Sequence, residues 1–163
     1  MTPYFSNPDR VADLASTASA WEGTPFHPNG CVVGVGVSCQ KLVGALMSGC
    51  GIEMGSVPDG PMDWQGGPSL IEDHMDVALA ARFITIFGAS VGGGSPIGCA
   101  DVPIFLPGDI VGFRVGSSVK HVGIMVDAER FIHVMRHSSV SIVQLCDPTW
   151  IGRLSRVWRA IEL

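Results

Sequence analysis

Hydrophobic positions in the first half of the chain repeat at helical spacing. One run starts after Asn7, which can cap a helix, and Pro8, which suits the first helical position. A second run starts after Ser38, another capping residue. We therefore predict helices over Pro8–Trp21 and Cys39–Cys50. In the first helix, one face carries Val11, Leu14, Ala15 and Ala18; in the second, the residues that repeat at helical spacing are Leu42, Val43, Leu46 and Met47.

A third helical pattern starts at Ser69, which has capping-box spacing to Glu72. It continues through Leu70, Met75, Leu79 and Phe83. Loops are predicted over 22–37 and 51–68. The glycine-rich stretch 88–96 lacks the lysine of a phosphate-binding loop, so a phosphate cradle is not predicted there.

From Pro107 the pattern changes to short β-rich runs separated by turn signals. We predict strands over 108–115, 121–127, 130–136, 140–145 and 156–163. A short helix is expected at Pro148–Leu154. Helices followed by an antiparallel sheet indicate an α+β fold. A chain of 163 residues suits a single domain over 1–163 with one core.

Composition narrows the class of protein. The chain is 47% hydrophobic and 15% charged, which favours a packed interior over disorder. Its net charge of −5 and scattered basic residues argue against nucleic-acid binding. No apolar run is long enough to predict a membrane span. The N-terminus lacks signal-peptide features, so we expect synthesis in the cytoplasm, with export, injection or a phage particle needed for action at a cell wall.

The chain has five cysteines, an odd number that cannot all pair internally. Free thiols are the default in a reducing compartment. No CxxC or CxxH spacing indicates structural zinc, and we expect neither a metal nor a cofactor. We interpret four of the five as structural: Cys31, Cys50, Cys99 and Cys146.

Cys39 differs because it stands at a predicted helix start after a glycine-rich loop. The partial positive charge of a helix N-terminus lowers the pKa of a thiol, and the free N–H groups there can bind an oxyanion. The alternative interpretation is a small buried apolar residue.

A cysteine nucleophile needs a base and a group that orients the base. In a hairpin centred on residue 127, His121 lies directly opposite His133 and on the same face of the sheet. The alternatives are two polar residues on a sheet face, or a metal site that lacks a third ligand. His27 is placed to border a cleft, whereas His74 and His137 are assigned no role.

Five short motifs, in this order, resemble the NlpC family of papain-like cysteine peptidases, many of which cut bacterial cell-wall peptides. The segments are Trp21–Phe26 (similar to G-T-P-Y), Ser38-Cys39 with Leu42-Val43 (D-C-S-G-L-V), Leu106–Phe113 (P-G-D-L-V-F-F), His121–Ile124 (H-V-G-I) and Phe131–Val134 (F-I-H-A). The ending, Trp150–Leu154 with Val157–Arg159, is most similar to members encoded with phage tails.

The resemblance implies a papain-like NlpC fold, with N-terminal helices packed on a C-terminal antiparallel sheet. It implies that Cys39 attacks an amide carbonyl of a peptidoglycan stem peptide, that His121 is the base and that His133 orients it. A thioacyl enzyme would form and be hydrolysed. Phage tail proteins and an immunity or inhibitor protein are the further partners expected.

The residues expected to contact substrate depart from the family pattern. Ser38 replaces the usual Asp, Gln40 replaces Ser, and Phe26 replaces Tyr; His27 completes the predicted substrate-binding set. These changes keep other functions open: an amidase, a thioesterase, a transglutaminase-like enzyme, or a tail-assembly protein without activity.

Overall fold

The computed structural model describes residues 1–57, 70–89 and 97–163. Its helices are α1 (Pro8–Trp21), α2 (Cys39–Gly49), α3 (Leu70–Asp73), which continues as a π-helical turn (His74–Ala78), and α4 (Pro148–Ile151). Short 3-10 turns span Tyr4–Ser6 and Cys99–Asp101. The strands are β1 (Cys31–Val32), β2 (Gly36–Val37), β3 (Phe83–Gly88), β4 (Ile110–Val115), β5 (Ser118–Met125), β6 (Arg130–His133), β7 (Ser141–Gln144) and β8 (Leu154–Ala160).

The architecture is α+β, as the sequence predicts. Six strands form an antiparallel sheet in the order β3-β8-β4-β5-β6-β7, and β1 pairs with β2 in a separate hairpin. Helix α2 packs on β5 and β6, and α1 packs on α2. Side chains of β5 alternate between two apolar clusters, with Val122 and Ile124 in the cluster that contains the helices and Met125 in the second cluster. The sheet is therefore covered on both faces.

The first two predicted helices are confirmed. The Asn7 side chain accepts a hydrogen bond from the Asp9 amide, and Ser38 Oγ accepts one from the Lys41 amide at 3.4 Å. Helix α2 ends at Gly49, one residue earlier than predicted. Both N-caps thus act as their residue types lead one to expect.

The third predicted helix is wrong beyond Ala78. The helical turns end there, and Phe83 begins β3, which pairs with β8. The segment from Phe83 is rich in β-branched and aromatic residues, and an available strand edge decides its conformation. The predicted cap Ser69 and most of the glycine-rich stretch 88–96 lie outside the described residues.

Smaller differences concern element boundaries. The predicted loop 22–37 contains the β1–β2 hairpin. Helix α4 ends at Ile151, so Leu154 already belongs to the last strand. The predicted strand over 130–136 is β6, which stops at His133.

The predicted register of the β5–β6 hairpin is also wrong. Ile124 pairs with Ile132 and Met125 pairs with Phe131, which centres the hairpin on residue 128. Continuing this register places His133 opposite Gly123. The two histidines are therefore diagonal neighbours, and the two-residue shift in pairing keeps both on the same face.

The segment Pro107-Gly108-Asp109 joins β4 to its surroundings. Gly108 has φ +85°, and a Cβ there would lie 2.0 Å from the Phe5 ring. The buried Asp109 carboxylate accepts hydrogen bonds from Arg159, at 2.8 and 2.7 Å, and from the Leu106 amide at 2.8 Å. The role of the Pro107-Gly108-Asp109 motif in this structure is therefore to hold the chain in place before β4.

A disulfide joins Cys99 and Cys146, so the expectation of free thiols is wrong for this pair. The two residues are 47 positions apart in sequence, but their Cα atoms lie 5.7 Å apart, within the range a disulfide bridges. The free thiols are Cys31, which is exposed, and Cys39 and Cys50, which are buried. The tertiary fold makes this pairing, which cysteine spacing does not reveal.

Candidate active site

Two buried histidines form the centre of the candidate site. His121 Nε2 lies 2.9 Å from His133 Nδ1, within hydrogen-bond distance. Gly123, between His121 and the β6 strand, has no room for a side chain. A Cβ at Gly123 would lie 2.7 Å from the Ile132 carbonyl oxygen and 3.3 Å from His133 Cβ. The predicted proximity of the histidines is confirmed.

Aromatic side chains enclose the histidine pair. The Trp150 ring of α4 lies with its centroid 4.6 Å from that of His133 and 5.5 Å from that of His121. The ring centroid of Phe113 in β4 lies 5.8 Å from that of His121, and the ring centroid of Phe131 in β6 lies 4.9 Å from that of His133. Such a wall restricts both imidazole rings and limits the access of water.

Cys39 is the first residue of α2, and its side chain is buried. The thiol interacts with the backbone of Val122, the residue that follows His121. Its Sγ donates a hydrogen bond to Gln40 Oε1 at 3.3 Å. Over the ranges that the structure describes, no hydrogen bond joins Cys39 to His121. The contacts of the thiol are thus the backbone of Val122 and the side chain of Gln40, and the His121 ring contacts His133 and the aromatic side chains instead.

Burial controls the protonation of the thiol. It raises the pKa of Cys39 to about 11, although the backbone amides of Val122 and Gln40 act in the opposite direction. The expected lowering of this pKa by the helix start is therefore wrong in this structure. Desolvation of a fully buried sulfur outweighs the few N–H groups at the helix end.

Burial likewise keeps the histidines neutral. It lowers the pKa of His121 to about 3, with a smaller contribution from the neighbouring His133. The pKa of His133 is lowered to about 4, also by burial. At neutral pH the site therefore holds a thiol and two uncharged imidazoles.

The hydrogen bond between the histidines restricts their tautomers. If His121 Nε2 carries the proton and donates to His133 Nδ1, then His121 Nδ1 is an acceptor. This arrangement leaves one ring nitrogen free to take a proton from a thiol. His133 accepts through Nδ1 in the same arrangement and so stabilises the imidazolium that would form.

The residues predicted to contact substrate occupy different settings. Phe26 is half-buried and packs against the main core. His27 is exposed, and its Nδ1 accepts a hydrogen bond from the Asn29 amide at 3.2 Å. Ser38 is buried with its hydroxyl engaged in capping α2. Of this set, Gln40 is the one bonded to the thiol.

A cavity of about 30 Å³ opens beside Gln40. Its lining is mostly apolar and includes Val43, Met54 and Val122. His74, which sequence reasoning left without a role, also lines it, and its Nε2 lies 2.8 Å from the Met54 carbonyl oxygen. The space suits a small apolar group beside the Gln40 side chain.

Sequence reasoning missed the aromatic wall. Phe113, Phe131 and Trp150 lie in three different elements, and only the assembled sheet brings them together. The available signal was their place within or near the quoted motifs. In the parts of the chain that are described, no group of three or more His, Cys, Asp or Glu residues could hold a metal ion. The helices described there are all too short or too polar to cross a membrane.

Comparison with known proteins gives both sequence and fold relatives. Residues 100–159 match the NlpC/P60 family. The murein DD-endopeptidase MepS/murein LD-carboxypeptidase of Escherichia coli (strain K12) is 37% identical over 55 residues, which are 34% of this chain and 29% of that protein. The match covers less than a third of the relative's length. The family match includes both His121 and His133 but not Cys39.

Solved structures with this fold are more distant in sequence. A lipoprotein-like NLP/P60 family protein from Staphylococcus aureus subsp. aureus Mu50 is 19% identical with a TM-score of 0.63, over 100% of this chain and 45% of that one. The peptidoglycan hydrolase RipB from Mycobacterium tuberculosis is 16% identical with a TM-score of 0.57, over 99% of this chain and 69% of that one. The resemblance to the NlpC/P60 family is thereby confirmed, in sequence over residues 100–159 and in fold along the length of the chain.

Proposed function

We propose that this chain is a cysteine peptidase that hydrolyses amide bonds in peptidoglycan stem peptides. Cys39 is the nucleophile, His121 the general base and His133 the residue that orients the base. The observation that carries the proposal is the buried 2.9 Å contact between His121 Nε2 and His133 Nδ1; Cys39 begins α2, and its thiol interacts with the backbone of Val122, the residue after His121. An activated nucleophile requires a base and a group that orients the base, and the two histidines supply this pair.

The relatives support the substrate class. The Escherichia coli relative is named a murein endopeptidase, and the mycobacterial fold relative is named a peptidoglycan hydrolase. Both histidines lie in the segment that carries the family sequence. Cys39 lies outside that segment, and the support for its role is the interaction of its thiol with the backbone of Val122, the residue that follows His121.

The reaction proceeds through a covalent intermediate. His121 Nδ1 takes the thiol proton while Cys39 Sγ attacks the carbonyl carbon, and the carbonyl electron pair moves onto oxygen. The oxyanion is stabilised by N–H groups at the start of α2. The C–N bond then breaks, and the imidazolium gives its proton to the leaving amine. Water, deprotonated by His121, hydrolyses the thioester and restores the thiol.

The opposite charges formed in the first step arise side by side. Their attraction offsets part of the desolvation that keeps each group neutral on its own. His133 contributes by accepting the Nε2–H bond of the imidazolium. The aromatic wall keeps water from competing for that bond.

The proposal is tested by incubating the protein with purified peptidoglycan and analysing the soluble products by mass spectrometry. We expect release of stem-peptide fragments, and we expect Cys39→Ala and His121→Ala to abolish it with the fold retained. His137→Asn is the matched control, because His137 is exposed and lies outside the site. Full activity in the Cys39 variant would refute the proposal.

A second candidate is a different acyl-transfer reaction on the same fold, catalysed by an amidase, a thioesterase or a transglutaminase-like enzyme. It is favoured by one observation: Ser38 supplies no charge for the free amine of a stem peptide, and its hydroxyl is already engaged by the Lys41 amide. Selective iodoacetamide labelling of Cys39 without release of peptidoglycan fragments would favour this candidate. The absence of both would favour a non-catalytic tail-assembly protein.

The place of action is part of the proposal. The Cys99–Cys146 disulfide supports a protein that works outside the reducing cytoplasm. Delivery by export, injection or a phage particle would bring the chain to the cell wall, and phage tail proteins or an immunity protein would then be its partners.

A further inference from the structure

The Gln40 side chain contacts the sulfur of Cys39, the candidate nucleophile. Its Oε1 accepts a hydrogen bond from Cys39 Sγ at 3.3 Å, and the side chain is half-buried between the thiol and the small apolar cavity. Both residues lie in the first turn of α2, so the helix itself holds the carboxamide beside the sulfur.

This hydrogen bond suits only the protonated thiol. A thiolate has no proton to donate, and it would face the partial negative charge of the carboxamide oxygen. A half-turn of the terminal amide presents the NH₂ group to the same position, because the oxygen and nitrogen of a carboxamide are nearly equal in size. The amide can therefore accept a hydrogen bond from the thiol or donate one to the thiolate.

We propose that the Gln40 carboxamide is a positioning group for the candidate nucleophile, accepting from the Cys39 thiol at rest and, after its amide turns, donating an N–H to the thiolate. The inference rests on the proposed function, since it assigns a role within the same site. It also gives a reason for glutamine at a position where the resembling family has serine.

The balance between the two states sets the direction of the effect. A thiol is a weak donor, so the resting S–H···O bond contributes little. An N–H bond to a thiolate is charge-assisted and roughly twice as strong as a neutral one. Removing the carboxamide therefore costs the thiolate more than the thiol, and Cys39 becomes harder to ionise.

The test is the pH dependence of iodoacetamide alkylation of Cys39, followed by peptide mass mapping, which separates it from the exposed Cys31. Gln40→Met keeps the length and removes the hydrogen bonds, while Gln40→Glu keeps the acceptor and replaces the donor by a negative charge. Gln144→Glu is the matched control, because Gln144 is exposed at the end of β7. The titratable side chains His121 of β5 and His74 at the cavity remain unchanged in every variant.

We expect the alkylation midpoint to move upward in both Gln40 variants, by about one pH unit or more in Gln40→Glu, with roughly tenfold slower labelling at neutral pH. The Gln144→Glu control should label like the parent. Far-UV circular dichroism confirms folding of each variant. A Gln40→Met midpoint that is unchanged or lower would overturn the inference. Alkylation reads the thiol alone, so a failed peptidoglycan assay would not alter this result.

Discussion

At the residue scale, desolvation outweighs the local electrostatics of the candidate site. The Cys39 thiol stands at a helix N-terminus, yet its burial keeps the proton on sulfur. The same burial keeps His121 and His133 uncharged. In the proposed mechanism, activation of the nucleophile is therefore a proton transfer from a neutral thiol to a neutral imidazole rather than the use of a preformed ion pair.

Because His121 and His133 are buried, we predict that the free energy of unfolding decreases in acid. In the unfolded chain they ionise near the ordinary pKa of 6.5, but in the fold only at about 3 and about 4. Between these values the unfolded state binds more protons, so the free energy of unfolding falls as the pH is lowered below about 6.5. The loss at about pH 4.5 amounts to about 2–3 kcal/mol per histidine.

Urea unfolding at about pH 7.5 and about pH 4.5 measures this loss. His133→Gln removes one of the two groups and should lose less stability between these pH values than the parent. His137→Asn is the control, since His137 is exposed with φ +63°, a conformation that asparagine accepts. Equal losses in the parent and in His133→Gln would contradict the role of burial.

At the element scale, the short helix α4 completes the site. Pro148 at its first turn and the Asp147 cap fix its start, with the Asp147 side chain accepting from the Thr149 amide at 2.8 Å. These contacts place Trp150 over the histidine pair. A helix of four residues cannot hold this position by itself, so the packing of Trp150 and Ile151 against the sheet must do so.

We expect Trp150→Ala to admit water to the histidines and to move their pKa values upward toward 6.5, the ordinary value. Trp150→Phe keeps an aromatic cover and should resemble the parent. Imidazole proton signals followed by NMR through a pH titration give the readout. The alanine variant should also lose about 2–3 kcal/mol of stability through the cavity it creates. An unchanged titration of His133 in Trp150→Ala would show that α4 does not shield the pair.

At the scale of the whole molecule, a disulfide ties the segment before β4 to the residue preceding the cap of α4. It closes a loop between positions 47 apart in sequence. Cross-linking a loop of this size restricts the unfolded chain by about 4 kcal/mol on the chain-entropy account. The same bond holds the start of the helix that carries Trp150.

Replacing both cysteines, as Cys99→Ser with Cys146→Ser, should therefore lower the thermal midpoint, and dithiothreitol should have the same effect on the parent. Differential scanning calorimetry with and without reductant measures the change. Cys31→Ser is the control, because that thiol is free and exposed. A parent whose midpoint is insensitive to reductant would show that the bond does not contribute.

Local sequence chemistry determined much of this protein. Capping residues and apolar spacing predict α1 and α2 within a residue, and β-rich runs predict the sheet from Ile110 onward. The hairpin spacing and the motif contexts predict that His121 and His133 form a pair. These features depend on neighbours in the chain, which a sequence displays directly.

Only the tertiary structure decided the rest. Phe83–Gly88 became a strand because β8 offered an edge, and the hairpin register followed from packing rather than from turn signals. The Cys99–Cys146 bond and the wall formed with Trp150 join residues far apart in sequence. Desolvation raises the pKa of Cys39, opposite to the expected shift. It arises only in the folded core, because other parts of the chain must cover the thiol to remove it from water.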